Sequence, residues 1–385
     1  MTSGWKRRAL GDLLQLQNGF AFDSKKFGTT GTPLIRIRDL KRGTETDTCF
    51  DGEYDKRYLV KRGDLLIGMD GEFRCHEWKG PEALLNQRVC RLQGFSGDLL
   101  PRFVLYGINK YLKDIEDVTA FATVKHLSSK QILGVEFPAP SIEEQHRIVA
   151  LLDEAFAGIA TAKANAEKSL RCAREAFEAS LTAALGSNGW PERRLGEVCE
   201  IARGGSPRPI KAFLTNASDG VNWVKIGDAS ASSKYIYRTR EKIKPTGVTR
   251  SRLVHSGDFL LSNSMSFGRP YIMRTSGCIH DGWLVLSKYE DSFEQDFLYL
   301  LLASQCMYQQ FDRLAAGSTV RNLNIELASR VSVPVPPLAT QQQIARELEA
   351  IQDDVSHLES LYTRKLAALD ELRQSLLHQA FSGQL

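Results

Sequence analysis

The sequence predicts an α+β protein built as an internal pseudo-two-fold repeat: two tandem mixed α/β domains separated by two long helices that pair as an antiparallel coiled coil. Three observations predict it. The stretch from Phe137-Pro-Ala-Pro140 through Ser141-Ile-Glu-Glu-Gln145 to Leu185 returns as Val333-Pro-Val-Pro336 through Gln341-Gln-Gln-Ile344 to Phe381. Each copy is an extended Pro-x-Pro exit followed by about 40 residues free of Pro and nearly free of Gly, which reads as one long helix. The segments before each copy also correspond, so a whole unit is duplicated. The expected boundaries are 1–140 and 189–336 for the mixed domains, and 141–188 and 337–385 for the helices.

The helices follow from their heptads. Ile148 falls on Ile344 and Leu152 on Leu348, an offset of 196 residues. Ile148, Leu152, Ala155, Ile159, Ala162 and Ala166 alternate steps of four and three, Ala173 follows a heptad later with Leu170 one place off strict register, and Ile344, Leu348, Ile351, Val355, Leu358, Tyr362 and Leu369 answer at the same positions. So sustained a seam argues for a coiled coil. One seam is rich in Ala and the other in Leu, Ile and Val, so small side chains meet large ones and the two copies are expected to pair with each other.

The mixed domains correspond in order. Trp5-Lys-Arg-Arg-Ala-Leu10-Gly11-Asp12-Leu13 returns as Trp190-Pro-Glu-Arg-Arg-Leu195-Gly196-Glu197-Val198, and both run on to a glycine, Gly19 and Gly204. Pro33-Leu-Ile-Arg-Ile-Arg38-Asp39 and Val221-Asn-Trp-Val-Lys-Ile-Gly227-Asp228 read as strands. Val60-Lys-Arg-Gly63-Asp64-Leu-Leu-Ile67 and Val254-His-Ser-Gly257-Asp258-Phe-Leu-Leu261 read as a Gly-Asp turn feeding a buried strand. Phe103 and Phe297 open helices, and Thr123-Val-Lys125-His-Leu127 matches Thr319-Val-Arg321-Asn-Leu323.

The scaffold repeats but the loops do not. Gly68-Met-Asp70-Gly-Glu72-Phe-Arg74-Cys-His76-Glu-Trp78 stands against Ser262-Asn263-Ser-Met-Ser266-Phe-Gly-Arg269. Asn86-Gln87-Arg88, read as the start of a strand, stands against His280-Asp281-Gly282, and Gly19-Phe20 followed by Lys25 against Arg203-Gly-Gly-Ser206-Pro-Arg208. Similar scaffolds presenting different polar loops suit two readers of two targets, and duplicated loops that drifted without constraint read the same way.

Composition narrows the function classes. With 385 residues, 42% of them hydrophobic, the chain has ample material for two or three buried cores. No apolar N-terminal run and no run of 18 apolar residues occurs, and the seven scattered cysteines lack a Cys-x-x-Cys, which fits reduced thiols in a cytoplasmic protein. The net charge of +4 is unevenly spread: 22 Lys and Arg against 18 Asp and Glu in 1–140 and 19 against 14 in 189–336, but 5 against 7 in 141–188 and 4 against 7 in 337–385. Basic domains on acidic helices suit a polyanion ligand.

Catalytic constellations are missing from the sequence. It has no phosphate loop, no Gly-x-Gly-x-x-Gly and no His-Glu-x-x-His, and Pro336-Pro337-Leu338 follows valine, unlike the Asp/Asn-Pro-Pro-aromatic element of an amino-methyltransferase. Cys75-His76 with Cys90 lacks the tight paired spacing of structural zinc, so no metal is expected. Candidate DNA contacts are therefore the loop polar and aromatic residues: Gly19, Phe20, Lys25, Arg38, Asp70, Glu72, Arg74, His76, Trp78, Asn86, Gln87, Arg88, Lys125 and His126 in the first half. In the second they are Arg203, Ser206, Arg208, Lys225, Asn263, Ser266, Arg269, His280, Asp281, Thr319, Arg321 and Asn322. Phe73 and Phe267 are weaker aromatic candidates, and every one of these residues has a bland reading as a surface charge or an edge plug.

Two different mixed domains, each followed by one half of an antiparallel coiled coil, resemble the specificity subunit of type I restriction-modification systems. The resemblance covers essentially the whole chain. It rests on the Leu-Gly-Asp/Glu openings (10–12, 195–197), the Gly-Asp strands (63–64, 257–258) and the repeated Pro-x-Pro-Ser/Pro-Ile/Leu-x-x-Gln-x-x-Ile (138–148, 334–344) with its long helix ending at Ala184-Leu185-Gly186 or Ala380-Phe381-Ser382-Gly383. It implies that each mixed domain is a target recognition domain reading half of a bipartite DNA site, and that the helices act as a ruler docking modification and restriction subunits. It also implies that S-adenosylmethionine, ATP and Mg belong to those partners and that this chain is not an enzyme. A helix of about 40 residues spans roughly 60 Å, ample for half-sites one turn, ~34 Å, apart. Unlike loops predict unlike half-sites. The rival readings are a coiled-coil adaptor that binds only protein and a self-contained DNA methyltransferase.

Overall fold

The computed structural model describes residues 5–118, 126–186, 189–229, 234–263, 267–315 and 322–385. Lys125, Ser266, Thr319 and Arg321 lie outside them. The chain falls into two compact units, residues 1–166 with 364–385 and residues 167–363, so each unit takes its own stretch of both long helices.

In the first unit, one sheet orders the strands Gln15–Asn18, Val89–Gln93, Leu65–Gly68 and Cys75–Glu77, all antiparallel. A second sheet orders Phe27–Gly28, Cys49–Phe50, Thr32–Ile35, Ala83–Leu85 and Leu59–Val60, with Thr32–Ile35 and Ala83–Leu85 parallel. The second unit repeats both connectivities. Glu200–Arg203, Trp283–Ser287, Phe259–Ser262 and Pro270–Met273 form the first sheet, extended by the edge strand Tyr235–Ile236. Leu214–Thr215, Glu241–Ile243, Val221–Val224, Gly277–Ile279 and Arg252–Val254 form the second, with the same parallel pair at its centre. The duplication is therefore one of topology, and the α+β tandem arrangement is as the sequence predicts.

The shared motifs are framework. Gly63 and Gly257 hold positive φ, 94° and 101°, and the aspartate after each accepts a backbone N–H three residues back: Asp64 from Lys61 and Asp258 from His255, each 2.8 Å. The strands that follow, Leu65–Gly68 and Phe259–Ser262, are buried throughout. Leu10, Leu195, Phe103 and Phe297 are core residues of their own units.

Two expectations need correction. The strands at 33–39 and 221–228 end early, at Ile35 and Val224, because Asp39 accepts the Arg36 N–H and Asp228 the Lys225 N–H, both 2.9 Å, and so cap a tight turn. Arg38 thus stands on a turn. Asn86-Gln87-Arg88 and His280-Asp281-Gly282 do not begin strands either; each is the corner by which the chain passes from the second sheet to the first.

The long helices are Ile142–Leu185 and Leu338–Ser382, 44 and 45 residues. They pair antiparallel inside each unit. In the first, Arg147 reaches the Leu385 carbonyl oxygen (2.7 Å), Lys163 pairs with Asp370, and the Arg373 guanidinium lies 4.9 Å over the Phe156 ring. In the second, Arg174 pairs with Glu359 at 2.6 Å, and Leu181 and Leu185 share a core with Ala345 and Leu348. Partner numbers fall as the first helix rises, as antiparallel pairing requires. Of the seam positions, Ile148, Leu152, Ile159, Ala166, Leu348 and Val355 are buried, and Ala155, Ala162, Ile344, Ile351, Leu358 and Leu369 half-buried.

Each helix is also pinned to its own mixed domain by a glutamine. Gln145 is fully buried; it accepts the Leu100 N–H and donates to the carbonyls of Asp98 and Pro140. Gln341 does the same with the Glu294 N–H and the carbonyls of Ser292 and Pro336. A buried amide keeps its place only with its partners satisfied, so these bonds define the angle at which the helix leaves the domain.

Candidate nucleic-acid interface

The inter-sheet corners gather most of the candidates. Both are braced by the same backbone bonds. Met69 N–H donates to Arg88 C=O (2.9 Å) and Leu127 N–H to Met69 C=O (2.7 Å); correspondingly, Asn263 N–H donates to Gly282 C=O (3.1 Å) and Leu323 N–H to Asn263 C=O (2.9 Å). Gly19 and Gly204 press against the corners, where a Cβ would overlap the carbonyl oxygen of Asn86 or His280. Gly19 is therefore a close-approach glycine.

On the first corner, Phe20 is 47% exposed and ring-packed against Phe22 and Tyr58 (centroids 5.1 and 5.2 Å). Gln87 and Arg88 are exposed beside it. Asp70 accepts from Arg88 (2.5 Å) and contacts His126 Nδ1 (2.7 Å). Burial pushes the Asp70 carboxyl up, but the bonds from His126 and Arg88 outweigh it and hold it below the usual range. This corner offers an aromatic face and a carboxylate held between Arg88 and His126.

The second corner is chemically different. Ser206 Oγ donates to Asp281 Oδ1 (2.5 Å), Arg208 lies 3.7 Å from Oδ2, and Arg203 Nε and Asn263 Nδ2 donate to the Asp281 carbonyl (3.1 and 2.8 Å). The Ser206 bond is the chief cause of the lowered Asp281 pKa. His280 Nδ1 accepts the Gly282 N–H (2.8 Å), and burial lowers the ring's pKa. Lys225 pairs with Glu241 at 2.7 Å. Pro207, Ile210, Leu214 and Trp223 floor an open cleft of about 1280 Å³ with Arg208, Lys211, Lys225 and Asp281 at its rim.

Other candidates are not brought to the corners. Trp78, 1% exposed, is a core side chain whose Nε1 donates to the Pro81 carbonyl (2.7 Å), and Phe73 is buried as well. Both plug their own domain. Asn86 and Asn263 belong to the corners but are buried in them, the Asn263 amide spent on bracing. Glu72 pairs with Lys41 (2.9 Å) and approaches Arg74 (3.7 Å) beside His76, whose pKa burial lowers; these residues lie by the edge strand Cys75–Glu77. Lys25 and Arg38 are exposed, and Arg269 is exposed with its guanidinium 5.5 Å over the Tyr271 ring. Asn322 is half-buried, and Phe267 packs edge-on to Tyr308.

Sequence reasoning missed two features. Residues 203–252 hold eleven Lys and Arg against three Asp and Glu, a net of +8. They supply three of the five strands of the second sheet and the first residue of a fourth, so one sheet and its loops hold far more positive charge than the half as a whole suggested. A running charge window finds this, whereas a sum over the domain dilutes it. Also missed was the Gln17–Arg91–Asp64 network: Arg91 donates to Gln17 (2.5 Å) and Asp64 (3.0 Å), which makes Arg91 structural. Among the described residues no group of three or more His, Cys, Asp or Glu is placed to hold a metal ion.

The chain matches the family described as Type I restriction modification DNA specificity domain over residues 2–169 and 187–363. It is similar to the type I restriction enzyme EcoBI specificity subunit of Escherichia coli, 27% identical over 414 aligned residues that take in 99% of this chain and 86% of the relative. It is also similar to the putative type I restriction enzyme MjaX specificity subunit of Methanocaldococcus jannaschii, 20% identical, with 99% and 93% covered. Two solved structures share the fold. One, from work on complex assembly and conformational transition of the type I R-M system, has a TM-score of 0.75 at 20% identity, covering 100% of this chain and 99% of the other. The HsdS subunit from Thermoanaerobacter tengcongensis has a TM-score of 0.59 at 20% identity, with 100% and 98% covered.

Proposed function

The chain belongs to the family of type I restriction-modification DNA specificity proteins, and from that premise we propose that it is the DNA-recognition subunit of such a complex, reading a bipartite, asymmetric site with one half-site per mixed domain. The observation that carries the reading is the pair of corners. The same backbone bracing presents Phe20, Gln87, Arg88 and Asp70 in one half and Arg203, Ser206, Arg208 and Asp281 in the other. Rigid supports with unlike hydrogen-bonding groups suit two different base sequences, because base edges are told apart by donor and acceptor pattern. The basic sheet of the second half supplies the phosphate contacts that position without specifying.

The chain itself is non-catalytic in this reading. Methyl transfer from S-adenosylmethionine belongs to modification subunits docked on the helices, and ATP- and Mg-dependent work to a restriction subunit. No described helix is long and apolar enough to cross a membrane; we place the complex in the cytoplasm, with its DNA. The test is selection from random duplexes by the chain assembled with its methyltransferase partner. The expected product is two short unlike half-sites separated by an unread spacer, bound with an affinity that falls steeply with salt. A contiguous or perfectly symmetric site sinks the reading, and salt-insensitive assembly without DNA binding supports an adaptor instead.

A further inference from the structure

Eight residues beyond each buried glutamine, about two helical turns or ~12 Å along the axis, a second polar attachment joins the long helix to its mixed domain. In the first half, Arg102 meets Asp153 in a fork, Nε at 2.9 and 2.8 Å from the two carboxylate oxygens and Nη2 at 2.7 Å from one of them. The Tyr106 hydroxyl donates to the same carboxylate. In the second half, repeat positions 102 and 153 are taken by Asp296 and Glu349, so two acids face each other where an ion pair stood. Lys234 resolves the conflict. Its Nζ lies 2.8 Å from Asp296 and 3.0 Å from Glu349, over the rings of Tyr235 and Tyr299 (5.4 and 5.0 Å). Its carbonyl accepts the Ile272 N–H (2.9 Å), which ties it to the strand Pro270–Met273. Burial disfavours the Lys234 charge, yet the bonds from Asp296 and Glu349 outweigh it and the pKa is raised.

An attachment kept in place while its chemistry is replaced has a task that is geometric. A domain held at the glutamine alone can swivel about that point. A second attachment two turns away leaves only rocking about the line through both, which the buried side chains at 148 and 152, and at 345 and 348, oppose. Partly exposed ion pairs add little to global stability, but they are directional, and a forked Arg–carboxylate pair especially so.

We propose that Arg102–Asp153 and Asp296–Lys234–Glu349 are positioning residues that stop each recognition domain from swivelling on its helix and so hold the DNA complex to a single spacer length. This rests on the proposed reading of a bipartite site. The experiment uses the full chain assembled with its methyltransferase subunits on a duplex library in which the two selected half-sites are separated by every spacer within a few base pairs of the optimum, with methylation read by sequencing. Lys234→Met, and separately Arg102→Asp, are expected to extend methylation to spacers one base pair longer and shorter, at a tenth or more of the optimum, with the half-site bases unchanged. The exchange Arg102→Asp with Asp153→Arg is expected to restore the single spacer. Unchanged spacer profiles in both single variants overturn the proposal, as does a change in half-site bases. Should Lys234→Met fail to fold, the exposed Arg102 series decides alone. If the unaltered complex reads no bipartite site at all, it is the underlying DNA reading that fails.

Discussion

At the residue scale, the second corner makes a specific claim about Asp281. A carboxylate only accepts hydrogen bonds, as suits the cytosine amino group, whereas an amide pairs better with adenine. Asp281→Asn keeps the size and an oxygen for Ser206, so it is expected to change one position of one half-site, by about 1–3 kcal/mol of discrimination, and to leave the other half-site alone. Sequencing of selected duplexes checks this, with Trp78→Phe as a core control that shifts neither half-site. The histidines give a pH test. Burial lowers the pKa of both His76 and His280, so the unfolded chain takes up protons first as pH falls. Stability held by the neutral rings is full above about pH 6.5 and drains away below it. Urea midpoints between pH 7 and 5 should fall less steeply for His280→Gln than for the unaltered protein. Which polar residues gather was partly legible in the sequence, since Arg203, Ser206, Arg208, Lys225, His280 and Asp281 all reach one corner. Which aromatics are exposed was not: Trp78 and Phe20 both stand in polar surroundings along the chain, and only the packing of one sheet against the other buries Trp78 while Phe20 is left bare.

At the element scale, the long helices were legible because their pattern is local and repeated, whereas the sheets were not, because their pairings join residues far apart. The parallel pairs Thr32–Ile35 with Ala83–Leu85 and Val221–Val224 with Gly277–Ile279 depend on register that no single stretch displays. Likewise, the repeated Gln in the boundary motif was visible, but its purpose was not. Gln145 and Gln341 each satisfy one backbone N–H and two carbonyls in a buried site. Gln145→Leu fills similar volume and leaves those groups unpaired, so it is expected to cost at least roughly 2 kcal/mol, and Gln341→Leu about as much. Chemical denaturation followed by circular dichroism measures both. A loss under about half a kcal/mol in both variants shows that water replaces the amide and that the pins are incidental.

At the scale of the whole molecule, each long helix runs unbroken from one unit to the other, and that continuity is what makes a ruler testable. Lys163 faces Asp370 and Arg174 faces Glu359, so seven residues inserted between Lys163 and Arg174, with seven more between Glu359 and Asp370, keep both pairs and the heptad register. Such an insertion lengthens each helix by about 10 Å, equivalent to about three base pairs of duplex. It also turns the far half-site by roughly a third of a turn about the DNA axis, which the supercoil of the helix pair does not match residue for residue. Two outcomes are therefore expected together: the preferred spacer grows by about three base pairs, and affinity at the new optimum is lower than at the old. The half-site bases are expected to stay as they were, because the corners proposed to read them, with Asp70 and Asp281, lie outside both helices. An insertion in one helix alone shifts the seam out of register and should cost folding instead of moving the spacer. Duplex selection on the matched variant decides it: an unchanged spacer means that something other than the helices measures the distance, and altered half-site bases mean that the helices do more than measure.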